Sequence, residues 1–254
     1  MIHTDQPIIS VIIPALNEEK GVREAIASAT SAVGVQVIVA DGGSTDGTVR
    51  IARACGVSVV TGQAGRALQM NAAAATARGS ILLFLHADTQ LPKHFDQAVR
   101  STLGRTGVVA GAFRLAIDAP RPALRWMEIA ANLRSRLLQL PYGDQAIFVR
   151  TDTFERMRGF AAVPAMEDYE FICRLRRIGR VGLCPNTVKT SARRWLTQGV
   201  WRTAVVHQLM VAGYHLGVSP DRLAGWRQAG GDTPQQPSAI ASAPAAGRRW
   251  RHGV

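Results

Sequence analysis

The strongest constraint on the fold is an alternation of short apolar runs with longer helical stretches. Five runs have the length and the apolar, often β-branched composition of buried strands, and they cover 8–13, 35–40, 80–85, 108–115 and 145–149. Three intervening segments favour helices, and they cover 19–33, 46–55 and 66–78. Strands that are apolar along their whole length are typical of a parallel sheet with helices on both faces. We therefore predict an α/β fold with a mostly parallel central sheet.

The composition excludes several classes of protein. The 254 residues are 47% hydrophobic and 19% charged, which suits one large globular domain or two small ones and excludes a disordered or collagen-like chain. Three widely spaced cysteines without a Cys-x-x-Cys pair favour buried apolar residues over zinc ligands. The longest apolar stretch, 199–218, contains Arg202, His207 and Gln208, so we expect no membrane-spanning helix. The first residues lack a secretory signal pattern, and we expect a cytoplasmic protein.

Positive charge is concentrated in the second half of the chain. Residues 1–120 hold 10 Lys and Arg against 9 Asp and Glu, whereas residues 121–254 hold 20 against 9. This asymmetry favours a surface or pocket that faces phosphate, an acidic ligand or anionic lipid, although an Arg-rich genome explains it equally well. Beyond residue 226 the composition changes to Gly, Pro, Gln, Ala and Ser, and we predict a disordered basic tail over 227–254.

Polar and acidic residues directly follow three of the predicted strands. Pro14-Ala-Leu-Asn-Glu-Glu19 follows the first, Asp41-Gly-Gly-Ser-Thr-Asp-Gly-Thr48 the second and His86-Ala-Asp88 the third. Because ligands of parallel sheets bind beyond the carboxyl ends of the strands, these segments are candidates for a binding site. Their carboxylates suit the hydroxyls of a nucleotide or a divalent metal ion. For 41–48 alone, a tight turn followed by a helix cap is an equally good interpretation.

In this order and at these separations, the segments resemble family 2 glycosyltransferases of the GT-A fold. The resemblance covers about residues 8–225 and continues through Gly65-Arg-Ala-Leu-Gln-Met-Asn71, Tyr142-Gly-Asp-Gln145, Glu167-Asp-Tyr-Glu170 and Ser191-Ala-Arg-Arg-Trp195. More narrowly, the chain is similar to a soluble bacterial subfamily that is often named for arsenosugar biosynthesis. The resemblance implies one domain over 1–226, with a nucleotide-binding half to about residue 90 and an acceptor half over 91–226.

The implied reaction is the inverting transfer of a sugar from a nucleotide diphosphate sugar to a hydroxyl group. Uridine diphosphate is the expected carrier, and the acceptor would be a small molecule or a lipid. Pro14, Asn17 and Glu18 would line the nucleotide cleft, and Asp41 would accept hydrogen bonds from the base or the ribose. Arg66 opens a predicted helix, where it would hold an anion or stack on a base unless it is a solvated surface residue.

His86-Ala-Asp88 occupies the position of the family's Asp-x-Asp motif, with His in place of the first carboxylate. The resemblance implies that Asp88 binds Mg²⁺ or Mn²⁺, which neutralises charge on the leaving diphosphate. An imidazole is a poorer ligand for Mg²⁺ than for Mn²⁺, so His86 favours Mn²⁺. A strand-end His that bonds to a backbone group is the alternative interpretation of His86.

The acceptor half supplies the implied catalytic base. The family's Glu-Asp pair assigns this role to Asp168, with Glu167 as the reserve, and a single base opposite the leaving group implies inversion. We expect neighbouring carboxylates to raise the pKa of one member of this cluster. Acidic residues in a first helical turn also suit the helix dipole. Asp144 falls where the family contacts the donor sugar or the acceptor, although a polar turn also explains it.

Two further segments of the second half are basic and aromatic. The guanidinium groups of Arg193 and Arg194 both suit diphosphate oxygens, and we expect one of the two to reach the phosphates. Trp195 would pack over donor or acceptor. The segment 123–140 predicts a basic amphipathic helix whose apolar residues are Trp126, Ile129, Leu133, Leu137 and Leu140. We expect a core helix with a solvated face, and contact with a bilayer is the alternative.

The sequence lacks the motifs that are typical of several other protein classes. No Gly-x-Gly-x-x-Gly follows a predicted strand, and no Gly-x-x-x-x-Gly-Lys-Ser/Thr is present, which disfavours oxidoreductases and nucleoside triphosphatases. A sugar nucleotidyltransferase would carry a glycine-rich basic loop after the first strand, and this loop is missing. A basic non-enzymatic protein that binds nucleic acid or anionic membrane is the remaining rival, and it predicts salt-sensitive binding to polyanions. We expect no specific nucleic-acid binding from a glycosyltransferase.

Overall fold

A computed structural model describes residues 9–229 of the chain, and these residues form eight strands and ten α-helices. The strands are Ile9–Ala15 (β1), Val35–Asp41 (β2), Ser58–Thr61 (β3), Ile81–Phe84 (β4), Thr89–Gln90 (β5), Val108–Asp118 (β6), Phe148–Arg150 (β7) and Arg180–Ser191 (β8). The helices are Val22–Ala29 (α1), Thr48–Ala54 (α2), Arg66–Ala74 (α3), Phe95–Leu103 (α4), Pro122–Leu138 (α5), Thr151–Arg156 (α6), Glu167–Leu175 (α7), Arg193–Gln198 (α8), Val200–His215 (α9) and Pro220–Ala229 (α10). A 3₁₀ turn over Gly143–Gln145 precedes β7.

The strands form one sheet in the order β3-β2-β1-β4-β7-β6-β8-β5. The neighbours among β1 to β4 pair in parallel, as do β6 and β8, whereas β7 is antiparallel to both of its neighbours and β5 to β8. The predicted α/β fold with a mostly parallel sheet is confirmed. The run 145–149 is strand only at its end, because Gln145 belongs to the 3₁₀ turn and β7 begins at Phe148.

The register of the first strands brings their carboxyl ends to one edge. Ala15 of β1 is paired with Asp41 of β2, and Ile12 with Phe84 of β4. The side-chain amide of Gln69 on α3 donates to the carbonyls of Ala15 and Ala40, each at 2.8 Å. This amide fastens the two strand ends together, so the segments that follow them start from fixed positions.

Alternate residues of the strands pack on opposite faces of the sheet. Val11 and Ile13 of β1 face a cluster that includes residues of α1, α2, α4 and α5, whereas Ile12 faces a cluster that includes residues of α3, α6 and α7. All three side chains are fully buried. Helices therefore cover both faces, as predicted.

The apolar stripe of α5 does not face the core, and the expectation of a core helix with this stripe inward was wrong. Trp126, Ile129, Leu133 and Leu137 are exposed. The reason lies in the polar side of the helix, which packs against the edge of β6. Asn132 accepts from the amide of Leu115 at 2.8 Å and donates to the carbonyl of the same residue at 3.0 Å.

The end of the described chain differs from the predicted domain boundary. Helix α10 continues to Ala229, three residues into the segment predicted as a basic tail. The rest of that segment, 230–254, lies outside the described residues. Among residues 9–229, no helix has both the length and the apolar character that a membrane span requires.

Candidate functional site

A small cleft lies where β1 and β4 end. A cavity of about 90 Å³ is lined by side chains that the sequence analysis singled out, and these are Pro14, Glu18, Arg66, His86, Asp88 and Arg194. The cavity also receives Gln69, which the sequence analysis missed. Gln69 could have been found from the sequence as a polar residue on the otherwise apolar, buried side of α3, which also carries Met70 and Ala73.

Asn17 and Asp41 shape the loops beside the cleft. Asn17 has a left-handed backbone with φ of 55°, and its side-chain Oδ1 accepts from the backbone amide of Thr45 at 2.9 Å. Asp41 is buried, and its Oδ2 accepts from the amides of Gly43 and Ser44 at 2.9 and 3.2 Å. Asp41 therefore holds a tight turn, the role given above as the alternative, and it does not line the cavity. Backbone amides already occupy part of its hydrogen-bonding capacity.

His86 and Asp88 follow β4 and are both half-buried. Burial, reinforced by the positive charge of Arg66, lowers the pKa of His86 to about 4. The imidazole is therefore neutral at pH 7 and can offer a nitrogen lone pair. The hydroxyl of Thr89 lies 3.4 Å from Oδ1 of Asp88, a long hydrogen bond, and Asp88 lines the cavity.

Arg66 and Glu167 form a largely buried ion pair, which the sequence analysis did not predict. The Nε of Arg66 lies 2.8 Å from Oε1 of Glu167, whose side chain is 3% exposed. The pair joins the first residue of α3 to the first residue of α7. Arg66 is therefore not a solvated surface residue. The role of Glu167 as the reserve base stays a prediction.

Asp168 is held by two backbone amides. Its Oδ2 accepts from Gly143 at 2.6 Å, and its Oδ1 accepts from Tyr169 at 2.8 Å. Burial alone would raise the pKa of Asp168, but the charge of Arg66 and these two amides outweigh burial and lower it. A Cβ on Gly143 would lie 2.9 Å from Nε2 of His86 and 3.0 Å from Oδ2 of Asp168. Gly143 thus marks the place where the β4 loop and α7 meet.

The raised pKa lies at Asp144, whereas it was expected within the acidic cluster at 167–170, where the pKa of Asp168 is lowered instead. Burial, with a further contribution from the charge of Asp168, raises the pKa of Asp144 to about 6, although Arg134 opposes the shift. Its Oδ1 is buried and has no hydrogen-bond partner among the described residues. The turn that carries it is fixed by Gln145, whose side-chain amide donates to the carbonyl of Phe113 at 2.9 Å.

Some of the first residues of α8 lie at the cleft, and others pack against the core. Arg193 donates to Oε2 of Glu18 at 2.6 Å, which ties α8 to the loop after β1. Burial raises the pKa of Glu18, and the bond to Arg193 offsets part of this rise. Arg194 lines the same cavity as Asp88. Trp195 is partly buried against the core cluster and does not line this cavity, and its place over donor or acceptor stays a prediction.

The cleft provides two ligands that suit a divalent metal ion. Asp88 offers carboxylate oxygens and His86 a neutral imidazole nitrogen, a donor set that fits Mn²⁺ better than Mg²⁺. Within residues 9–229, no group of three or more His, Cys, Asp or Glu side chains is arranged to hold a metal by itself. An ion at this place would therefore need further ligands from a bound molecule or from water.

The sequence model of glycosyl transferase family 2 matches residues 10–163, more than half of the chain, and the chain belongs to this family. No curated protein sequence matches it. The narrower resemblance to the arsenosugar subfamily stays a prediction.

Solved structures share the GT-A fold. Mannosyltransferase PcManGT from Pyrobaculum calidifontis, in complex with GDP-Man and Mn²⁺, is 19% identical with a TM-score of 0.64 over 87% of this chain and 69% of that one. Residues 1–349 of S. aureus TarS are 19% identical with a TM-score of 0.59, over 77% of this chain and 63% of that one. Glucosyl-3-phosphoglycerate synthase from Mycobacterium tuberculosis, with Mn²⁺, UDP and glucosyl-3-phosphoglycerate, is 22% identical with a TM-score of 0.53, over 72% of this chain and 70% of that one.

Proposed function

We propose that this protein is an inverting, metal-dependent glycosyltransferase that uses a uridine diphosphate sugar as donor and an alcohol as acceptor. The observation that carries the proposal is the grouping of a cavity-facing carboxylate, Asp88, with a fixed carboxylate, Asp168, around His86. The presence of nucleotides and Mn²⁺ in structures of proteins with this fold supports the proposal.

The donor side would be built from Asp88, His86 and Arg194. Asp88 and His86 would hold Mn²⁺, or Mg²⁺ in its place, and the ion supplies a Lewis acid that neutralises the developing charge of the leaving diphosphate. Arg194 lines the same cavity, and its guanidinium suits diphosphate oxygens. Arg194 lines this cavity and Arg193 does not, which supports Arg194 as the arginine that reaches the phosphates.

Asp168 would act as the catalytic base. Its lowered pKa keeps the carboxylate ionised throughout the neutral range, so it can accept the proton of the acceptor hydroxyl as the new glycosidic bond forms. Its two amide donors fix the direction of the carboxylate. With a single base, attack opposite the leaving group inverts the anomeric centre.

Asp144 would bind a hydroxyl of the donor sugar. Its buried Oδ1 lacks a hydrogen-bond partner within the described part of the chain, and a sugar hydroxyl would satisfy it. The buried carboxylate of Asp144, which is unfavourable without a hydrogen-bond partner, would then be stabilised by the bound sugar.

The test uses purified full-length protein, UDP-sugars and Mn²⁺, with release of UDP and of transferred sugar as separate readouts. We expect Asp88→Ala to abolish both, and Asp168→Asn to lower transfer about 10²- to 10⁴-fold while nucleotide binding persists. Asp152→Ala is the matched control, since this aspartate is 64% exposed on α6. If the protein shows no turnover but binds polyanions in a salt-sensitive way that Asp88→Ala leaves unchanged, the result would favour the non-enzymatic rival.

A further inference from the structure

Exposed apolar side chains are concentrated on one group of helices. Among the described residues, all large exposed hydrophobic side chains except Val33 and Ile178 belong to α5, α8, α9, α10 or the residue after α9. We define the docking face as the exposed apolar residues of two of these helices: Trp126, Ile129, Leu133 and Leu137 of α5, and Trp201, Val205 and Leu209 of α9. Such a concentration is typical of a surface that meets a partner.

The outward direction of the α5 stripe is fixed by hydrogen bonds. Helix α5 uses its polar residues to complete the backbone of β6, whose later residues are not paired with β7. Asn132 binds both backbone groups of Leu115, and Glu128 accepts from the amide of Ile117. Turning the leucines inward would break all of these bonds. Their exposure is therefore a consequence of how the helix is attached.

Helix α9 extends the docking face. It contacts α5, and Tyr142, which stacks under Arg134 of α5, also makes an edge contact with His207 of α9. Trp201, Val205 and Leu209 recur every four residues and are exposed, so they form a second stripe on the neighbouring helix.

Basic residues outnumber acidic ones around the docking face. No acidic residue occurs in 193–215, α5 contains only Glu128, which is turned toward β6, and the exposed Asp118 beside Trp126 is paired with Lys189. Arg121, Arg136 and Arg202 are exposed on or beside the two helices. A face that combines tryptophan and leucine with an excess of arginine is complementary to an anionic lipid surface.

We propose that the docking face binds the surface of anionic membranes, with the apolar stripes entering the headgroup region and the arginines facing lipid phosphates. A second copy of this chain fits less well, because a symmetric pair would bring the same arginines of both copies together.

Two neighbouring cavities lie between the docking face and Asp88. One, of about 260 Å³, is lined by Asp88, and another, of about 760 Å³, is lined by Trp126. Asp118 and Lys189 line both and are joined by an ion pair of 2.9 Å. Under the proposed function, on which this step rests, a protein bound through the docking face would hold its active site near the membrane surface.

The test is co-sedimentation of the full-length protein with vesicles of phosphatidylcholine, with or without 30% phosphatidylglycerol, in the absence of any donor. We expect binding to the anionic vesicles alone and at least a tenfold weaker partition for Leu133→Gln/Leu137→Gln. Val33→Gln/Ile178→Gln is the matched control, because it changes two exposed apolar residues that lie away from α5 and α8–α10, and it should bind normally. Arg121→Gln/Arg136→Gln should weaken binding about fivefold per arginine on anionic vesicles.

Three outcomes would overturn the proposal. The first is equal binding of the wild-type protein to neutral and anionic vesicles. The second is vesicle binding by the Leu133→Gln/Leu137→Gln variant that equals the wild type. The third is a wild-type protein that binds no vesicles and is a dimer in light scattering, while the leucine variant is a monomer. Urea unfolding of each variant checks that it is folded. Because no donor is present, the result is independent of whether the transferase proposal holds.

Discussion

At the scale of single residues, two neighbouring carboxylates have opposite properties because their hydrogen bonds differ. Asp168 accepts from two backbone amides and has a lowered pKa, whereas the buried Oδ1 of Asp144 accepts from none and burial raises its pKa to about 6. The sequence shows both as aspartates in polar segments. At Asp168 the charge of Arg66 and the two amides together outweigh burial, whereas at Asp144 burial prevails.

The raised pKa of Asp144 makes stability depend on pH. An aspartate with a folded pKa of about 6 and an ordinary unfolded value favours folding when protonated, and this advantage disappears as pH rises from about 4 to 6. We expect Asp144→Asn to raise the free energy of unfolding by as much as about 3 kcal/mol at pH 7.5 and by less than about 1 kcal/mol at pH 4. Urea unfolding at both pH values measures this. A gain in stability together with a loss of transfer would identify a functional residue.

Gly143 provides a second prediction at this scale. Its Cβ position lies 2.9 Å from Nε2 of His86 and 3.0 Å from Oδ2 of Asp168, so an added methyl group must displace at least one of them. We expect Gly143→Ala to lower transfer at least about tenfold, since small misplacements of catalytic groups are costly. Gly62→Ala is the control, because no atom lies within 4 Å of its Cβ position. Equal rates in the two variants would contradict the assignment.

At the scale of elements, α3 and α7 are joined by one buried ion pair. Arg66 and Glu167 both stand at the first residue of their helix, where a basic residue is unfavourable and an acidic one favourable. The pair offsets the charge of Arg66 and sets the distance between the two helices. It also places a guanidinium close enough to Asp168 to lower the pKa of that carboxylate.

Removal of one partner of this pair should therefore destabilise the fold. We expect Glu167→Gln to lower the free energy of unfolding by about 3–5 kcal/mol, because it removes the carboxylate that lies 2.8 Å from the largely buried guanidinium of Arg66. The exposed pair of Asp152 with Arg156 is the comparison, and Asp152→Asn should change stability by less than about 1 kcal/mol. Chemical denaturation measures both. A Glu167→Gln protein with unchanged stability but no transfer would favour Glu167 as the candidate base.

At the scale of the whole molecule, the sheet brings distant segments to one edge. The cavity is lined by Glu18 after β1, Asp88 after β4 and Arg194 in α8, which are far apart in the chain. A ligand that bridges these segments should stabilise the entire fold, since it binds the folded state alone.

We expect UDP with Mn²⁺ at about 100 times its dissociation constant to raise the melting temperature by about 5–10 °C. Asp88→Ala should lose the shift, and Asp152→Ala should keep it. Differential scanning fluorimetry with uridine, guanosine and thymidine diphosphates ranks the bases in the same experiment. A larger shift with GDP than with UDP would show that the donor base was wrongly assigned.

The sequence by itself determined the class of fold and the segments that carry the site. Apolar runs of strand length and the polar residues after them are local patterns, so β1, β2, β4 and the position of Asp88 could be predicted from them. Asp168 was singled out only by the resemblance to the family. Strands β3, β5 and β8 were not predicted, because none of them has a long apolar run.

The tertiary structure alone decided which charges meet and which faces are covered. Arg66 and Glu167 are 101 positions apart, and nothing in the local sequence indicates their pairing. The stripe of α5 predicted a core face, but side-chain bonds from Asn132 and Glu128 to β6 turned it outward. The physical reason is that periodicity shows that a helix has an apolar side, whereas the partners of its polar side decide where that apolar side points.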